Sequence, residues 1–238
     1  MVNNEAKRSY ENPSDKKAKV NNKGENKGGL RNRTSPKCLN EVVSKLNDSQ
    51  KDAVRKMGLE CLLDMSINGV TAKLGYFIVD NLDPACMQIR LGHGVIDITP
   101  EAVHHVIGVQ MGGIDIAAQT IGERNVSLIN VWKGEFGNKY VTQKRLMEVI
   151  VGSNDAGLMF KVYFLVLFVN IMCECSRDGT CNVKFLERIR DIDMVKEINW
   201  TKYICNCVAR SKKTWRRESY DSFYCGPITF LLVLLILY

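Results

Sequence analysis

Cysteine is the residue type in this sequence whose number and spacing best suit chemistry. The 238-residue chain holds nine cysteines, an odd number, and it opens without the apolar stretch of a secretory signal, so we expect free thiols inside a cell. Two Cys-x-Cys pairs, Cys173 with Cys175 and Cys205 with Cys207, suggest zinc, with Cys181 near the first pair. Structural zinc sites use a wider C-x₂₋₄-C spacing, and both pairs fall in apolar stretches. We therefore expect buried thiols and no metal site.

A cysteine nucleophile is a second chemistry that these residues could support. Such a thiol needs an adjacent base, and the candidates are His104 and His105, which would have to meet Cys61 or Cys86. No motif surrounds these four residues, so we expect no catalytic residue and a protein that is not an enzyme. Residues 111–113, Met-Gly-Gly, lack the patterns of a phosphate-binding loop and predict a turn. We expect no cofactor.

Basic side chains concentrate at the N-terminus. Of the net charge of +7, residues 1–37 supply +6, from ten basic and four acidic side chains. Few apolar residues accompany them, so residues 1–37 are predicted to form a disordered basic tail. Within it, Lys16, Lys17 and Lys19 fit a short nuclear-import signal. The alternatives are a solvated tail without an address and weak, nonspecific contact with nucleic acid.

The rest of the chain, residues 38–238, reads as a mainly α, multi-helix globular domain. Residues 49–58 and 99–108 each begin with helix-capping residue types and end at glycine. Residues 87–98 alternate with period two around Gly92-His93-Gly94, which predicts one short β-hairpin. Residues 117–140 show no clear periodicity and are expected to hold a long loop.

Three apolar stretches are expected to build the core. Residues 160–173 are apolar nearly all round but too short to span a membrane, and residues 200–215 carry one apolar stripe that includes Trp200 and Trp215. Residues 230–237 are all large and apolar, and leaving them in water would forgo about 10–20 kcal/mol. We expect this last stretch to pack inside the domain. The alternative is a membrane anchor at residues 227–238.

Several segments resemble the plant mobile domain, a family also labelled aminotransferase-like and related to transposon-encoded proteins. The most specific is ITPEAVHHVIG at residues 98–108, and LNDSQKDAVRKMG at residues 46–58 precedes it. The resemblance continues at 185–191, 199–200 and 226–227, so that it covers about residues 38–238. The chain departs from the family in lacking a proline at 109–112 and in stopping at Tyr238, which suggests a truncated copy.

The resemblance implies a largely helical nuclear domain that acts through protein partners in transposon silencing and gene expression. Phosphatase-like proteins are among the partners that it implies. The aminotransferase label has no support, because no lysine stands out as a pyridoxal-phosphate ligand. We therefore expect a non-enzymatic nuclear interaction module. The alternative function is a membrane-associated protein anchored by residues 227–238.

Overall fold

The computed structural model describes residues 29–119, 128–217, 219 and 222–238. Lys16, Lys17 and Lys19, the predicted nuclear-import residues, lie outside the described residues together with most of the predicted tail. The described chain is mainly helical and carries one small antiparallel sheet. These features confirm the predicted mainly α class with a hairpin near residues 87–98.

The helices and strands follow one another in the order below. The α-helices are α1 (Pro36–Val43), α2 (Asp48–Lys56), α3 (Ala72–Asp80), α4 (Pro100–Ile107), α5 (Leu128–Phe136), α6 (Gln143–Val151), α7 (Leu158–Met172), α8 (Trp200–Thr214) and α9 (Ile228–Leu237). Short 3₁₀ helices lie at Glu60–Leu62, Lys184–Arg188 and Ile192–Glu197. The strands are β1 (Leu82–Asp83), β2 (Gln88–Leu91) and β3 (Gly94–Asp97), in the order β1-β2-β3.

Two apolar helices lie in the core. Helix α7 is buried around nearly its whole circumference and packs against α1, α2, α5, α6 and α9. Helix α9 packs against α3, α4 and α7 and buries its side chains from Ile228 to Leu232. The expectation that the apolar C-terminal stretch lies inside the domain is confirmed for its first part, whereas Ile236 and Leu237 are exposed. No helix among the described residues is long and apolar enough to cross a membrane.

Local capping signals fix the ends of several helices. The Thr99 hydroxyl accepts a hydrogen bond of 3.1 Å from the backbone N–H of Ala102, at the start of α4. Helix α4 ends at Gly108, whose φ of +85° is left-handed and favours glycine. Helix α2 begins two residues earlier than predicted, because Asn47 and Gln50 form a reciprocal capping box. Capping chemistry therefore predicts helix α4 closely and α2 approximately.

One expectation was wrong because tertiary packing decides the outcome. The predicted loop at 117–140 contains helix α5, which buries Leu128, Ile129 and Trp132. Directly after α3, Leu82 pairs with Ile89 in strand β1, which widens the predicted hairpin to three strands.

The packed region extends into the predicted tail. Leu30 is buried, and its backbone N–H donates to the Ala72 carbonyl at 2.8 Å. The Arg31 carbonyl accepts a 2.9 Å hydrogen bond from Tyr224 N–H. One buried leucine and backbone pairing suffice to hold this segment, although its composition resembles that of the preceding residues. The folded region therefore begins before the predicted boundary at residue 38.

Candidate interaction surface

Cys61 packs against Gly108 at the end of α4, but the side chains that the sequence singles out for chemistry form no hydrogen-bonded group among the described residues. Nδ1 of His104 lies 2.8 Å from the Val109 carbonyl oxygen at the end of α4, and His105 is exposed. Burial raises the pKa of Cys61 to about 11, which suppresses the thiolate that a nucleophile requires. Cys86 is exposed and lies between β1 and β2 in the sequence. The structure records no hydrogen bond between either histidine and either cysteine among the described residues.

Cys173 and Cys207, one thiol from each Cys-x-Cys pair, lie close together in the core. Burial raises the pKa of Cys173 and Cys207 well above the usual range, and that of Cys205 to about 11. The Cys181 pKa is likewise raised, to about 12, chiefly by burial. Within residues 29–119, 128–217, 219 and 222–238, no group of three His, Cys, Asp or Glu side chains is placed to hold a metal ion. These thiols are packing residues of the core.

A different surface brings chemically useful side chains together. Residues 180–188, here called the wall segment, separate two clefts. The first, the Tyr203 cleft, has a volume of about 420 Å³ and lies between the wall segment, α8 and Glu174. The second, the Tyr140 cleft, has a volume of about 260 Å³ and lies between the wall segment and the C-terminal end of α5.

Asn170 fixes the wall segment to the core. This side chain on α7 is fully buried, and its Nδ2 donates to the carbonyl oxygens of Val166 and Asn182 at 2.8 and 2.9 Å. Its Oδ1 accepts the backbone N–H of Asn182 at 2.7 Å. A buried amide whose hydrogen-bonding groups are partnered is a strong positioning device. The backbone of Asn182 therefore cannot move without breaking two hydrogen bonds to a fully buried side chain.

Further contacts hold the N-terminal end of the wall segment. The Asp178 carboxylate accepts from the hydroxyls of Ser176 and Thr180 at 2.6 and 2.7 Å, and these bonds lower the pKa of Asp178 to about 2. The Cys181 N–H donates to the Val141 carbonyl at 2.7 Å. This bond connects the wall segment to the strand-like residues beside Tyr140. Both clefts are therefore built on fixed backbone.

The Tyr203 cleft contains a charge pair with an added hydroxyl donor. One Glu174 oxygen accepts from the Tyr203 hydroxyl at 2.7 Å, and the other contacts the Arg210 guanidinium at 2.7 Å. Tyr203 and Arg210 stand two turns apart on one face of α8. Burial, together with nearby acidic groups, raises the pKa of Tyr203 far above its usual range, so its hydroxyl stays protonated and donates.

The Tyr140 cleft rests on an aromatic cluster. Trp132 and Phe136 of α5 have ring centroids 4.5 Å apart, and both rings contact Tyr163 of α7. Helix α5 stops at Gly137, whose φ of +58° is left-handed, and the chain then turns toward Tyr140. The Tyr140 side chain is 85% exposed. A rigid floor thus carries an exposed aromatic ring at its rim.

Positive charge dominates the two clefts. Their lining contains five cationic and two carboxylate side chains. One carboxylate, Glu174, is already paired with Arg210. The side chains concerned are Lys133, Lys139, Lys184, Arg188 and Arg210, against Glu174 and Glu187. The surface therefore offers more positive charge than its own carboxylates neutralise.

Sequence reasoning missed this surface entirely. Its parts come from 116–117, 129–141, 174, 180–188 and 203–210, and no local motif joins them. The one local signal is Asn170, a polar residue inside the otherwise apolar stretch of α7. A buried polar side chain in such a stretch indicates a fixed partner. It does not by itself indicate where that partner lies in the chain.

Comparison with known proteins gives one family. A family model described as "Domain of unknown function (DUF8566)" matches residues 32–232. No curated protein and no solved structure matches the chain. The identification with the plant mobile domain was therefore wrong, because the family that matches is a different one. The short motifs that carried the resemblance are capping and glycine patterns, which unrelated helical proteins share.

Proposed function

We propose, from the premise that the chain belongs to the family described as Domain of unknown function (DUF8566), that this protein is a non-enzymatic interaction module for protein partners. Its binding surface is the wall segment with the Tyr203 and Tyr140 clefts, and the ligand is an acidic segment of the partner. The observation that carries the proposal is the placement of five cationic side chains around two clefts that share one fixed wall.

The electrostatics of this surface favour an acidic ligand. Complementary charge raises the rate of encounter and discriminates against basic partners. Lys184 is exposed and Arg188 half-buried on the wall segment itself, so both can reach a ligand that crosses it. One guanidinium N–H of Arg188 donates to the Ala117 carbonyl at 3.3 Å, which orients the group and leaves its charge in place. A carboxylate-bearing chain laid across the wall would meet both cations.

The shape of the surface favours a peptide. Each cleft combines cations with apolar lining, including Phe185 and Ile116 in one and Ile129 and Val183 in the other. Clefts of this kind accept side chains, and an exposed aromatic such as Tyr140 is a common energetic anchor of protein interfaces. Nucleic-acid surfaces for single strands instead present successive aromatic rings along a basic groove.

The expected location and the expected partners rest on different observations. A nuclear location rests on Lys16, Lys17 and Lys19 alone, since the family that implied it was misidentified. Transposon silencing and phosphatase-like partners rested on the same resemblance and are not proposed. We retain weak, nonspecific contact of the basic tail with nucleic acid as a proposal from its charge. We do not propose the anchor at residues 227–238, because α9 buries its side chains from Ile228 to Leu232 against its neighbours.

A charge-reversal experiment tests the binding surface. The probe is a short fluorescent peptide of alternating glutamate and leucine, and fluorescence anisotropy measures its affinity for the full chain. The double variant Lys184→Glu/Arg188→Glu should weaken binding about tenfold or more, because two attractive contacts become repulsive. The matched control is Lys73→Glu, an exposed reversal in the first turn of α3, where a carboxylate suits the helix dipole.

Three outcomes decide the matter. Loss of affinity in the double variant alone, with an unchanged circular dichroism spectrum, supports the proposed surface. Equal loss in the Lys73→Glu control shows a general charge effect and contradicts it. Competition by single-stranded DNA that abolishes peptide binding at about 0.15 M salt would mean that the clefts serve nucleic acid instead.

A further inference from the structure

Cys175 and Cys225 lie side by side, although they are far apart in the sequence. Cys175 follows α7, and Cys225 precedes α9. The backbone N–H of Cys175 donates to the carbonyl oxygen of Cys225 at 2.9 Å. Adding the N–Cα bond on one side and the Cα-to-oxygen distance on the other, the two Cα atoms can be no more than about 6.8 Å apart. A disulfide spans Cα distances of about 4.4–6.8 Å, so this pair needs no backbone movement of consequence.

The two thiols also differ in pKa and in exposure, as an attacking thiol and a resolving thiol do. The Cys175 thiol hydrogen-bonds the sulfur of Cys225, and with the nearby Arg177 guanidinium it lowers the pKa of Cys225 below its ordinary value. The same hydrogen bond, together with burial, raises the pKa of Cys175. Cys225 is partly exposed, whereas Cys175 is buried. The more exposed sulfur is therefore the one that ionises more readily, and the buried sulfur lies directly behind it.

A cation, Arg177, lies beside this pair and outweighs the opposing effect of Glu174 on Cys225. Arg177 lies two residues after Cys175 and is exposed. Its carbonyl accepts a 3.2 Å hydrogen bond from Nε of Arg33, and the Arg33 guanidinium stacks on Phe223 at 4.1 Å. The folded N-terminal segment thus places a second guanidinium on Phe223, two residues before Cys225. Such an environment stabilises a thiolate and marks a reactive cysteine.

We propose that Cys225 and Cys175 form a reversible, disulfide-forming oxidation site for hydroperoxides. Cys225 is the attacking sulfur, and Cys175 is the resolving sulfur. This site is independent of the proposed peptide surface. Cys173 and Cys207 do not fit this role, because they have no exposed surface. Cys181 does not fit it either, because no cation lowers its pKa.

The chemical step balances with hydrogen peroxide as the oxidant. The Cys225 thiolate attacks one peroxide oxygen, so that an S–O bond forms, the O–O bond breaks, and hydroxide leaves to take up the proton that Cys225 released. The sulfur of Cys175 then attacks the Cys225 sulfenic acid, forming the S–S bond and breaking the S–O bond. The leaving oxygen departs as water with the Cys175 proton. Two thiols lose two electrons, and peroxide becomes two waters.

The disulfide would join the end of α7 to the start of α9. The closed loop contains residues 175–225, including the wall segment and all of α8. Cross-linking over such a loop restricts the unfolded chain strongly, so the oxidised protein should melt about 5 °C or more above the reduced protein. A dithiol reductant should reverse this shift by thiol–disulfide exchange.

The test treats the folded full chain with hydrogen peroxide and maps disulfides by mass spectrometry. We expect a Cys175–Cys225 linkage that dithiothreitol removes, in the wild type and equally in the control Cys86→Ser. In Cys175→Ser, which lacks the resolving thiol, dimedone should trap a sulfenic acid at Cys225. A linkage between other cysteines, no linkage, or dimedone labelling of Cys86 ahead of Cys225 overturns the proposal.

A second variant separates reactivity from structure. Arg177→Gln removes the neighbouring charge but keeps the backbone carbonyl that Arg33 contacts. Iodoacetamide alkylation of Cys225 at neutral pH should slow about threefold or more, because a smaller fraction of the thiol is ionised. Arg190→Gln, an exposed change outside this site, should leave the rate unaltered. An unchanged rate in Arg177→Gln overturns the assignment of Cys225 as the attacking sulfur.

Discussion

At the residue scale, Gly113 lies directly against another part of the chain. The Ile114 N–H donates to the Glu197 carbonyl at 2.7 Å, and a Cβ on Gly113 would lie within clashing distance of that same oxygen. Its φ of +92° also lies in the left-handed region. The Gly-Gly pair, which the sequence predicts to be a turn, is needed both for its conformation and for this close approach.

Replacing Gly113 combines backbone strain with a steric clash, and replacing Gly112 isolates the strain. Gly112 has a similar φ of +84°, and among described residues nothing lies within 4 Å of an added Cβ. Gly112→Ala should lower the free energy of unfolding by about 1–2 kcal/mol through backbone strain alone. Gly113→Ala should cost about 3 kcal/mol or more, because the clash adds to the strain. Urea denaturation measures both, and equal losses would show that the Glu197 contact relaxes freely.

The Asp178 carboxylate leads to a prediction about how stability depends on pH. Its pKa is lowered to about 2 by the hydroxyls of Ser176 and Thr180, while the ordinary value is 3.8. A depressed carboxyl pKa stabilises the folded state fully above the unfolded value, and the contribution disappears as pH falls toward the folded value. Asp178→Asn should therefore flatten the fall in melting temperature between about pH 4 and pH 2.

Thermal melts across this pH range check the Asp178 prediction. Asp64→Asn removes another exposed carboxylate and serves as the matched control. The difference between the two variants isolates the hydrogen-bonded carboxylate from the general loss of negative charge. If both variants follow the wild-type slope, the hydroxyl contacts of Asp178 do not persist in solution.

At the scale of elements, Asn170 couples helix α7 to the wall segment. Asn170→Leu keeps the volume but leaves the backbone N–H and carbonyl of Asn182 without their buried partner. Each such group costs about 1–3 kcal/mol, so the free energy of unfolding should fall by about 2 kcal/mol or more. Amide hydrogen exchange at Asn182 should accelerate, which a purely global loss of stability would not single out.

A partly exposed asparagine gives the control for Asn170. Asn206→Leu makes the same chemical change on α8, and it should alter stability by no more than about 0.5 kcal/mol. An Asn170→Leu variant as stable as this control would mean that Asn182 finds other partners. The fixed wall of both clefts would then lose its physical basis.

Elements with strong local signals could be predicted from the sequence, and those fixed by distant contacts could not. Helix α4 combines Thr99, Pro100 and Gly108, so its ends follow from capping chemistry. Helix α5 has only a short apolar pattern and is stabilised where Trp132 meets Tyr163 of α7. The two-residue strand β1 exists only because β2 lies beside it. Such elements depend on the tertiary structure.

The same reasoning explains why the candidate sites were missed. Lys184 and Arg210 come together in the Tyr203 cleft through packing of separate elements, and Cys175 meets Cys225 although all of α8 lies between them in the chain. The sequence showed these residues individually but not their proximity. By contrast, the stripe from Trp200 to Trp215 was confirmed as core, because helical periodicity alone determines which of its side chains share a face.

At the scale of the whole molecule, stability depends on an apolar helix at the end of the chain. Helix α9 is almost uniformly hydrophobic, yet its two ends differ in environment. Phe230 and Leu231 have no exposed surface, whereas Ile236 is 69% exposed. Its neighbours α3, α4 and α7 come from three separate parts of the chain. Burial of one turn of α9 therefore links the N-terminal and central regions into one domain.

Phe230→Ala and Ile236→Ala form a matched pair that tests this role of α9. Removing the buried ring should lower the free energy of unfolding by about 3–5 kcal/mol, because it leaves a cavity among three helices. Truncating the exposed isoleucine should change it by about 0.5 kcal/mol or less. A helix that served as a membrane anchor would contribute to the fold through neither side chain. Denaturation of both variants without lipid distinguishes these cases: a large difference requires α9 in the core, and two small effects contradict it.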